Sequence, residues 1–282
     1  MKKNVIRRKA PEPKSSTDHE IDARDSGVQS VDRALSIIET LAEDDEGYRL
    51  SDLAIRTGLS TSTVHRLLGT LENRRFVQFD RAGSKWHVGA RAFTVGATFA
   101  RRRNFSAQAV PYLRKLRDLT RETANLAVVD DEFIVVLTRM ESREIMRSLT
   151  KVGGRVAMVA SGVGKAVLAT YSDADVSAIL HHHGMPRLTE KSIVRPGDLF
   201  KELEKIRRQG FAIDDEEACM GLRCIAAVVY NDCAEPLAAI SVSGMASRLT
   251  DERLPMLGQT VREVAAELTV ALGGVMPVGS PD

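Results

Sequence analysis

The polar residues of one short stretch, residues 60–70, have types and spacing suited to hydrogen bonding with nucleic-acid bases. Short hydroxyl side chains come first, and an imidazole and a guanidinium follow on the helix that the apolar spacing predicts here. Groups of this kind near the start of a helix can reach base edges in a major groove. The residues concerned are Ser60, Thr61, Ser62, Thr63, His65, Arg66 and Thr70. His65 and Arg66 are the expected base-edge contacts.

The elements that would position these residues form a helix–turn–helix followed by a β-wing. A first helix is predicted over 50–57 with Ser51 as its N-cap, and Gly58 supplies the left-handed residue of the turn. Ser60 then caps a second helix, from Thr61 to about residue 74. The predicted apolar face of this second helix consists of Val64, Leu67, Leu68 and Leu71. Strands over 76–80 and 85–88, with a turn between them, complete the wing.

Charge favours contact between this segment and phosphates. Residues 47–103 contain 11 Lys and Arg but 3 Asp and Glu, a net charge of +8, whereas residues 105–282 carry −3. Each phosphate neutralised by a basic side chain releases counterions, which favours binding. Arg81 and Lys85 on the wing are the expected phosphate contacts. Two helices joined by a glycine turn also occur in structural bundles, but the polar helix face, the hairpin and the charge together favour a winged helix that binds double-stranded DNA.

Composition indicates a cytoplasmic protein of two domains. The chain has 282 residues, of which 43% are hydrophobic and 28% charged. No apolar run approaches the ~20 residues that span a bilayer. No apolar segment follows the basic N-terminus, so no secretion signal is predicted. Three cysteines, an odd number, argue against a disulfide framework and for a reducing compartment.

The remaining periodicities predict an α+β fold with an antiparallel sheet. A helix over 29–42, with Val31, Ala34, Leu35, Ile38 and Leu41 buried, would complete the first core. Further helices are predicted over 89–103, 106–122, 162–171, 173–181, 199–206 and 251–272. Strands are predicted over 123–129, 133–139, 145–150, 222–230 and 237–242. The helix over 89–103 has a face of small residues around Gly96 and is expected to act as a linker and as a contact between two copies.

Four ordered motifs resemble those of the IclR family of transcription regulators. They are GVQSVDRALSII at 27–38, TGLSTSTVHRLL at 57–68, SGVGKAVLA at 161–169 and GLRCIAA at 221–227. The resemblance covers about residues 28–272 and implies a GAF-like effector-binding domain behind the winged helix, in a homodimer or dimer of dimers. The expected organisation is a disordered arm (1–26), the winged helix (27–88), a linker and dimerisation helix (89–105), the GAF-like domain (106–274) and a disordered tail (275–282).

The resemblance also implies a small-molecule site. Four polar residues match positions that glyoxylate-responsive relatives use to hold their ligand, namely Asp214, Cys224, Ser241 and Ser243. The backbone amides at Ser161 and Gly162, where a helix begins, are expected to form an anion site. We expect glyoxylate or another small 2-oxo acid as the effector that modulates operator binding, with an aromatic or larger organic acid as the alternative.

At two positions this sequence departs from the family pattern, and these departures bear on whether the ligand of the relatives can be assumed for this chain. Residues 155–160 read RVAMVA, where many relatives carry a His-x-Thr-Ala sequence, and this changes one wall of the expected pocket. Val228 stands where a proline often follows the RCIAA run. The resemblance therefore predicts the architecture of this chain more directly than the identity of its ligand.

Other constellations favour neither a metal nor a cofactor, and none is expected. The triple histidine at 181–183 and the cysteines at 219, 224 and 233 lack the paired C-x2-C spacing of common zinc sites. The acidic run at 214–217 is typical of a solvated loop. The GVGK at 162–165 lacks the first glycine and the final Ser or Thr of a phosphate loop. A nucleophilic Cys224 is disfavoured because an apolar strand raises a thiol pKa, so a cysteine-dependent enzyme is only a remote alternative.

Overall fold

The computed structural model describes residues 28–102, 105–130, 133–142 and 151–279. Two compact units divide the chain between Ala97 and Thr98. The arm predicted over 1–26 and the strand predicted over 145–150 lie outside the described residues. Among the residues that are described, no helix combines the length and the apolar content that crossing a bilayer requires.

The first unit is a three-helix core with a two-stranded wing, as the sequence predicts. Its elements are α1 (Gln29–Ala42), α2 (Leu50–Thr57), α3 (Thr61–Asn73), β1 (Val77–Asp80) and β2 (Lys85–Val88). The core side chains include Ile37, Leu41, Leu53, Val64, Leu68 and Trp86. Gly58 ends α2 in the left-handed region with φ +65°, a conformation that glycine adopts without steric cost. Helix α4 (Ala90–Arg102) begins here and continues past residue 97.

Two local predictions for this unit are wrong. The N-cap of α2 is Arg49, which makes no side-chain cap bond; Ser51 lies inside the helix, and its hydroxyl donates to Asp52 at 3.3 Å. In α1, the predicted burial of Val31 and Leu35 is wrong, since they are 55% and 53% exposed, whereas Leu41 is buried as predicted and Ile37 and Thr40 are buried as well. The buried residues of α1 thus lie in its C-terminal half.

The second unit is an α+β domain around a six-stranded sheet. Its helices are α5 (Phe105–Thr120), α6 (Gly162–Leu168), α7 (Asp173–His183), α8 (Pro196–Gln209) and α9 (Leu254–Ala271). Its strands are β3 (Thr123–Asp130), β4 (Phe133–Met140), β5 (Arg155–Ala157), β6 (Ala212–Asp215), β7 (Leu222–Tyr230) and β8 (Pro236–Met245). The strand order is β5-β4-β3-β8-β7-β6, and neighbouring strands are antiparallel. This confirms the predicted fold class.

Each face of this sheet packs against helices. In β3, Ala124, Leu126 and Val128 lie in the cluster that contains the buried residues of α5 and α9. The alternate residue Ala127 lies in the cluster with the buried residues of α6 and α8. Because successive side chains of a strand point to opposite faces, a strand covered on both sides is mostly apolar, and β3 is so from Leu126 to Val129. The functional residues of this unit lie on the α6 face.

A β-bulge changes the alternation in β4. Leu126 pairs with Thr138 and Ala127 pairs with Val136, so Leu137 is an extra residue without an opposite partner. Ile134 and Val136 face α6 before this point. The extra residue shifts the alternation by one, and Arg139 therefore joins Ile134 and Val136 on the α6 face.

Several predicted boundaries differ in the second unit. Strand β6 was not predicted, and the solvated-loop interpretation of 214–217 is wrong, since Asp214 and Glu217 are 6% and 5% exposed. Helix α9 begins at Leu254, with Pro255 in its first turn, where a missing N–H costs nothing. Ala271, the last residue of this helix, is exposed.

Candidate functional site

Helix α3 presents its polar residues away from the core of the first unit. Thr61, Ser62, His65 and Arg66 are exposed. Ser60 caps the helix as predicted, since its hydroxyl accepts the Thr63 N–H at 3.2 Å. The hydroxyl of Thr70 donates to the Arg66 carbonyl at 3.1 Å, so it is already engaged within the helix. The side chains with the greatest reach from this face are therefore His65 and Arg66.

A cleft of about 700 Å³ separates α3 from the wing. Two predicted residues, His65 and Arg81, line this α3–wing cleft. Arg49 and Ser51 from the start of α2 also line it and were not predicted to contribute. Lys85 on β2 has its ammonium 3.9 Å from the exposed Glu46 carboxylate, a weak surface pair that leaves the cation accessible. The cleft thus combines the basic side chains of Arg49, His65 and Arg81 with one carboxylate, Glu72, and the hydroxyls of Ser51 and Ser84.

A smaller cavity of about 110 Å³ lies on the α6 face of the sheet in the second unit. Five predicted residues line this sheet cavity, namely Ser161, Asp214, Cys224, Ser241 and Ser243. Gly162 is not among the lining residues but lies directly behind them. A Cβ at Gly162 would stand 3.1 Å from the Cys224 carbonyl oxygen and 3.3 Å from its sulfur, so a side chain here would need Cys224 to shift by a few tenths of an ångström.

Apart from Val156, which lies in the 155–160 segment expected to form one wall, the rest of the lining was not predicted. Asn125 and Arg139 contribute polar groups, while Ala127, Ile134, Val136, Val156 and Val163 contribute apolar wall. Ala218, Cys219, Leu222 and Arg223 complete the lining. Asn125 is a polar residue within a largely apolar strand, β3, and that contrast was the one sign in the sequence of a functional role. For Arg139, regular alternation of side chains along β4 predicts the face of the sheet opposite to the cavity.

Polar side chains cross the sheet in register through this cavity. Asn125 stands opposite both Arg139 and Ser241 in its two neighbouring strands. Cys224 stands opposite both Ser243 and Asp214. The Arg139 Nε donates to Asn125 Oδ1 at 3.0 Å, and Asn125 Nδ2 lies 3.4 Å from Ser241 Oγ and 3.3 Å from Ser243 Oγ. We call these six residues the polar row.

Ser161 joins the cavity from the opposite wall. It is the N-cap of α6, and its hydroxyl accepts the Gly164 N–H at 3.0 Å. Ser161 and Val163 both line the cavity, so the first turn of α6 borders it. Backbone N–H groups at such a position interact favourably with negative charge.

Asp214 is a buried carboxyl at the end of the polar row. Its Oδ1 accepts the backbone N–H groups of Glu217 at 2.8 Å and Ala218 at 3.4 Å. Burial, together with the neighbouring Glu217 carboxylate, raises the pKa of Asp214 from 3.8 to about 6, against the opposing effect of Lys165. The side chain thus changes charge close to neutral pH.

The thiol of Cys224 remains protonated at neutral pH. Burial raises its pKa from 9.0 to about 11, and the nearby Asp214 carboxyl raises it as well. The flanking hydroxyls of Ser243 and Ser241 act in the opposite direction. Since the thiolate is the nucleophile, this environment suits a hydrogen-bonding wall rather than covalent catalysis.

A buried ion pair lies behind the cavity. The Lys165 ammonium on α6 contacts the Glu217 carboxylate and donates to the Ile213 carbonyl at 2.6 Å. Burial raises the pKa of Glu217, although Lys165 lowers it. The second Glu217 oxygen has no hydrogen-bond partner among the described residues. The pair joins α6 to the segment that follows β6.

The described ranges contain no group of three or more His, Cys, Asp or Glu side chains arranged to hold a metal ion. His181, His182 and His183 form the last turn of α7 and are exposed. The cysteines at 219, 224 and 233 are free thiols.

Family models and solved structures match nearly the whole chain. The model described as bacterial transcriptional regulator IclR C-terminal matches residues 97–270, and the IclR helix-turn-helix model matches residues 30–81. The chain is 41% identical to the acetate operon repressor of Salmonella typhimurium, over 88% of this chain and 91% of that protein. It matches the crystal structure of the Thermotoga maritima IclR with a TM-score of 0.69 and 25% identity, over 87% of this chain and 99% of that one. An IclR homologue from Microbacterium hydrocarbonoxydans, crystallised with 4-hydroxybenzoate, matches with a TM-score of 0.72 and 22% identity, over 86% and 99%.

Proposed function

Since this chain belongs to the IclR family of bacterial transcriptional regulators, we propose that a small carboxylate effector, glyoxylate or another small 2-oxo acid, binds in the sheet cavity and modulates its binding to operator DNA. The observation that carries the proposal is the polar row in a cavity of about 110 Å³. Members of this family are regulators and not enzymes, and the protonated Cys224 thiol is consistent with that.

The chemistry of the cavity favours an acid with an adjacent oxygen. Ser241 and Ser243 offer hydroxyls on one strand face, and the first turn of α6 behind Ser161 favours an anion. The protonated thiol of Cys224 can donate, and Asp214 can accept or donate according to pH. A 2-oxo acid presents its carboxylate to the serine hydroxyls and the first turn of α6, and its carbonyl or the hydrate of that carbonyl to Cys224 and Asp214.

The volume of the cavity favours a small ligand. An engineered cavity of about 150 Å³ accommodates one benzene molecule. The sheet cavity is smaller, about 110 Å³, and part of its wall is polar. A substituted aromatic acid would need the apolar wall around Val156 and Val163 to move. The aromatic alternative has one specific support, which is the 4-hydroxybenzoate bound to the Microbacterium homologue.

We further propose that the exposed face of α3 binds bases and that the wing binds phosphates. His65 and Arg66 have the reach and exposure for base edges, while Arg81 and Lys85 carry the charge on the wing. Two copies of the chain, as a dimer or dimer of dimers, would present two such faces to two half-sites. The effector changes operator affinity only if it binds the DNA-competent and DNA-free states with different affinity.

Calorimetric titration of the full chain with glyoxylate tests the effector site. The wild type should bind, and Cys224→Ser and Ser241→Ala should weaken binding. Cys233→Ser is a matched control, since that thiol is exposed and outside the cavity lining. No binding to the wild type at millimolar glyoxylate would remove the small-acid assignment, and binding of 4-hydroxybenzoate in its place would favour the aromatic alternative.

A further inference from the structure

Arg139 is a half-buried cation on the wall of the sheet cavity that the effector assignment above leaves unused. It reaches the cavity because of the bulge at Leu137, without which strict alternation would turn its side chain to the α5 and α9 face. Bulges next to functional sites commonly redirect a side chain in this way. The bulge in β4 therefore places the guanidinium of Arg139 at the cavity.

The guanidinium fixes the orientation of Asn125. Arginine is only a donor, so the oxygen of the Asn125 amide must face the Arg139 Nε, 3.0 Å away. The amide nitrogen then faces the two serine hydroxyls at 3.3 and 3.4 Å. Asn125 is 5% exposed, so solvent does not offer it alternative partners.

This orientation determines what the serines offer a ligand. Ser241 and Ser243 accept hydrogen bonds from the Asn125 amide, and each hydroxyl keeps its own proton to donate elsewhere. A wall whose hydroxyls are committed as donors suits the oxygens of an anion. Burial lowers the pKa of the Arg139 guanidinium, with Glu141 acting in the opposite direction. A cation that is poorly solvated gains from a nearby anion.

We infer that Arg139 is a specificity-determining residue, which acts through Asn125 to orient the Ser241 and Ser243 hydroxyls as donors and makes the cavity select an acid over its neutral analogue. The inference rests on the proposed effector site and deepens it. Arg139 positions the groups that contact the ligand, and the selection is for negative charge on the ligand, whether the acid is small or aromatic.

The test compares each acid with its amide by calorimetric titration of the full chain. The probes are glyoxylate with glyoxylamide, and 4-hydroxybenzoate with 4-hydroxybenzamide. Arg139→Met should weaken binding of the acid ~10- to 100-fold, the range for one hydrogen-bonded charge, and leave the amide within about threefold. Arg139→Lys should retain part of the preference, because it keeps the charge but loses the planar donor geometry. Arg155→Met is a control with the same loss of charge, on an exposed residue outside the cavity lining.

A second variant keeps Arg139 and reverses the hydrogen bonds between residue 125 and the two serines. Asn125→Asp places an acceptor opposite both serines, so their protons turn to the new carboxylate and away from the ligand. The ion pair with Arg139 supports folding, and acid affinity should fall at least ~10-fold. Equal weakening of acid and amide in Arg139→Met, or unchanged binding in either variant, would overturn the inference while the effector site stands. A wild type that binds none of the probes would instead overturn the effector proposal, and this inference with it.

Discussion

Replacing Asp214 by asparagine should stabilise the second unit at neutral and alkaline pH. The carboxyl is 6% exposed, and its raised pKa means that ionising it in the fold is unfavourable. Asparagine keeps the oxygen that accepts the Glu217 and Ala218 N–H groups but carries no charge. The substitution therefore removes the cost of the buried charge and retains the local hydrogen bonds.

The magnitude follows from the difference between the two pKa values of Asp214. A shift from 3.8 to about 6 corresponds to about 3 kcal/mol of unfolding free energy. The folded-state pKa lies above the unfolded value, so the contribution of the protonated side chain is complete below pH 3.8. It is lost as pH rises through about 6. The asparagine variant should thus equal the wild type near pH 4 and exceed its stability by up to about 3 kcal/mol at pH 8.

Urea denaturation of the full chain between pH 4 and pH 8 measures this difference. Circular dichroism follows both units, and fluorescence of Trp86, the single tryptophan, follows the first unit separately. The Trp86 transition should not change in the variant. A stability difference that is independent of pH, or an asparagine variant less stable than the wild type at pH 8, would refute the reasoning about the buried charge.

Three further outcomes are expected. Arg66→Ala should cost about 1–3 kcal/mol on a selected duplex and relax specificity, whereas Lys85→Ala should weaken all duplexes similarly; equal losses on selected and random DNA for Arg66→Ala, measured by gel shift, would contradict this division. Gly164→Ala should destabilise the second unit by about 1–3 kcal/mol, because the added Cβ overlaps the backbone of Met158, and an unchanged melting curve would refute the close packing. Lys165→Met should cost about 3–5 kcal/mol by leaving Glu217 buried and unpaired, and adding Glu217→Gln should recover most of that loss in urea denaturation; no recovery would mean that the lysine contributes chiefly through packing.

The parts of the fold that depend on local signals could be predicted from the sequence. Gly58 and Ser60 fix the turn between α2 and α3 through their own backbone and side-chain chemistry. Periodicity located α5, whose buried face runs through Ala109, Leu113 and Leu116 as expected. The hairpin of β3 and β4 follows from two apolar runs separated by acidic residues. Each of these features is determined within a few residues of the chain.

The residues that sequence analysis missed depend on contacts distant in the chain. Glu217 reads as solvated because its partner in the buried ion pair, Lys165, lies 52 positions earlier in the chain. Arg139 reads as facing the wrong side because a single unpaired residue, Leu137, reverses the alternation. Neither a buried ion pair nor a bulge has a signature in hydropathy. Five polar cavity residues were nevertheless found: Asp214, Cys224, Ser241 and Ser243 through the family resemblance, and Ser161 through its position at the start of a helix.

The central claim is that an acid in the sheet cavity controls DNA binding by the first unit. Duplexes selected from a random pool by the full chain, and then titrated with and without glyoxylate, test it directly. Glyoxylate should change the affinity of the wild type for the selected duplex, and Ser241→Ala should reduce that response while the affinity without ligand stays the same. A wild type that binds glyoxylate in the cavity but holds the duplex with unchanged affinity would contradict the claim.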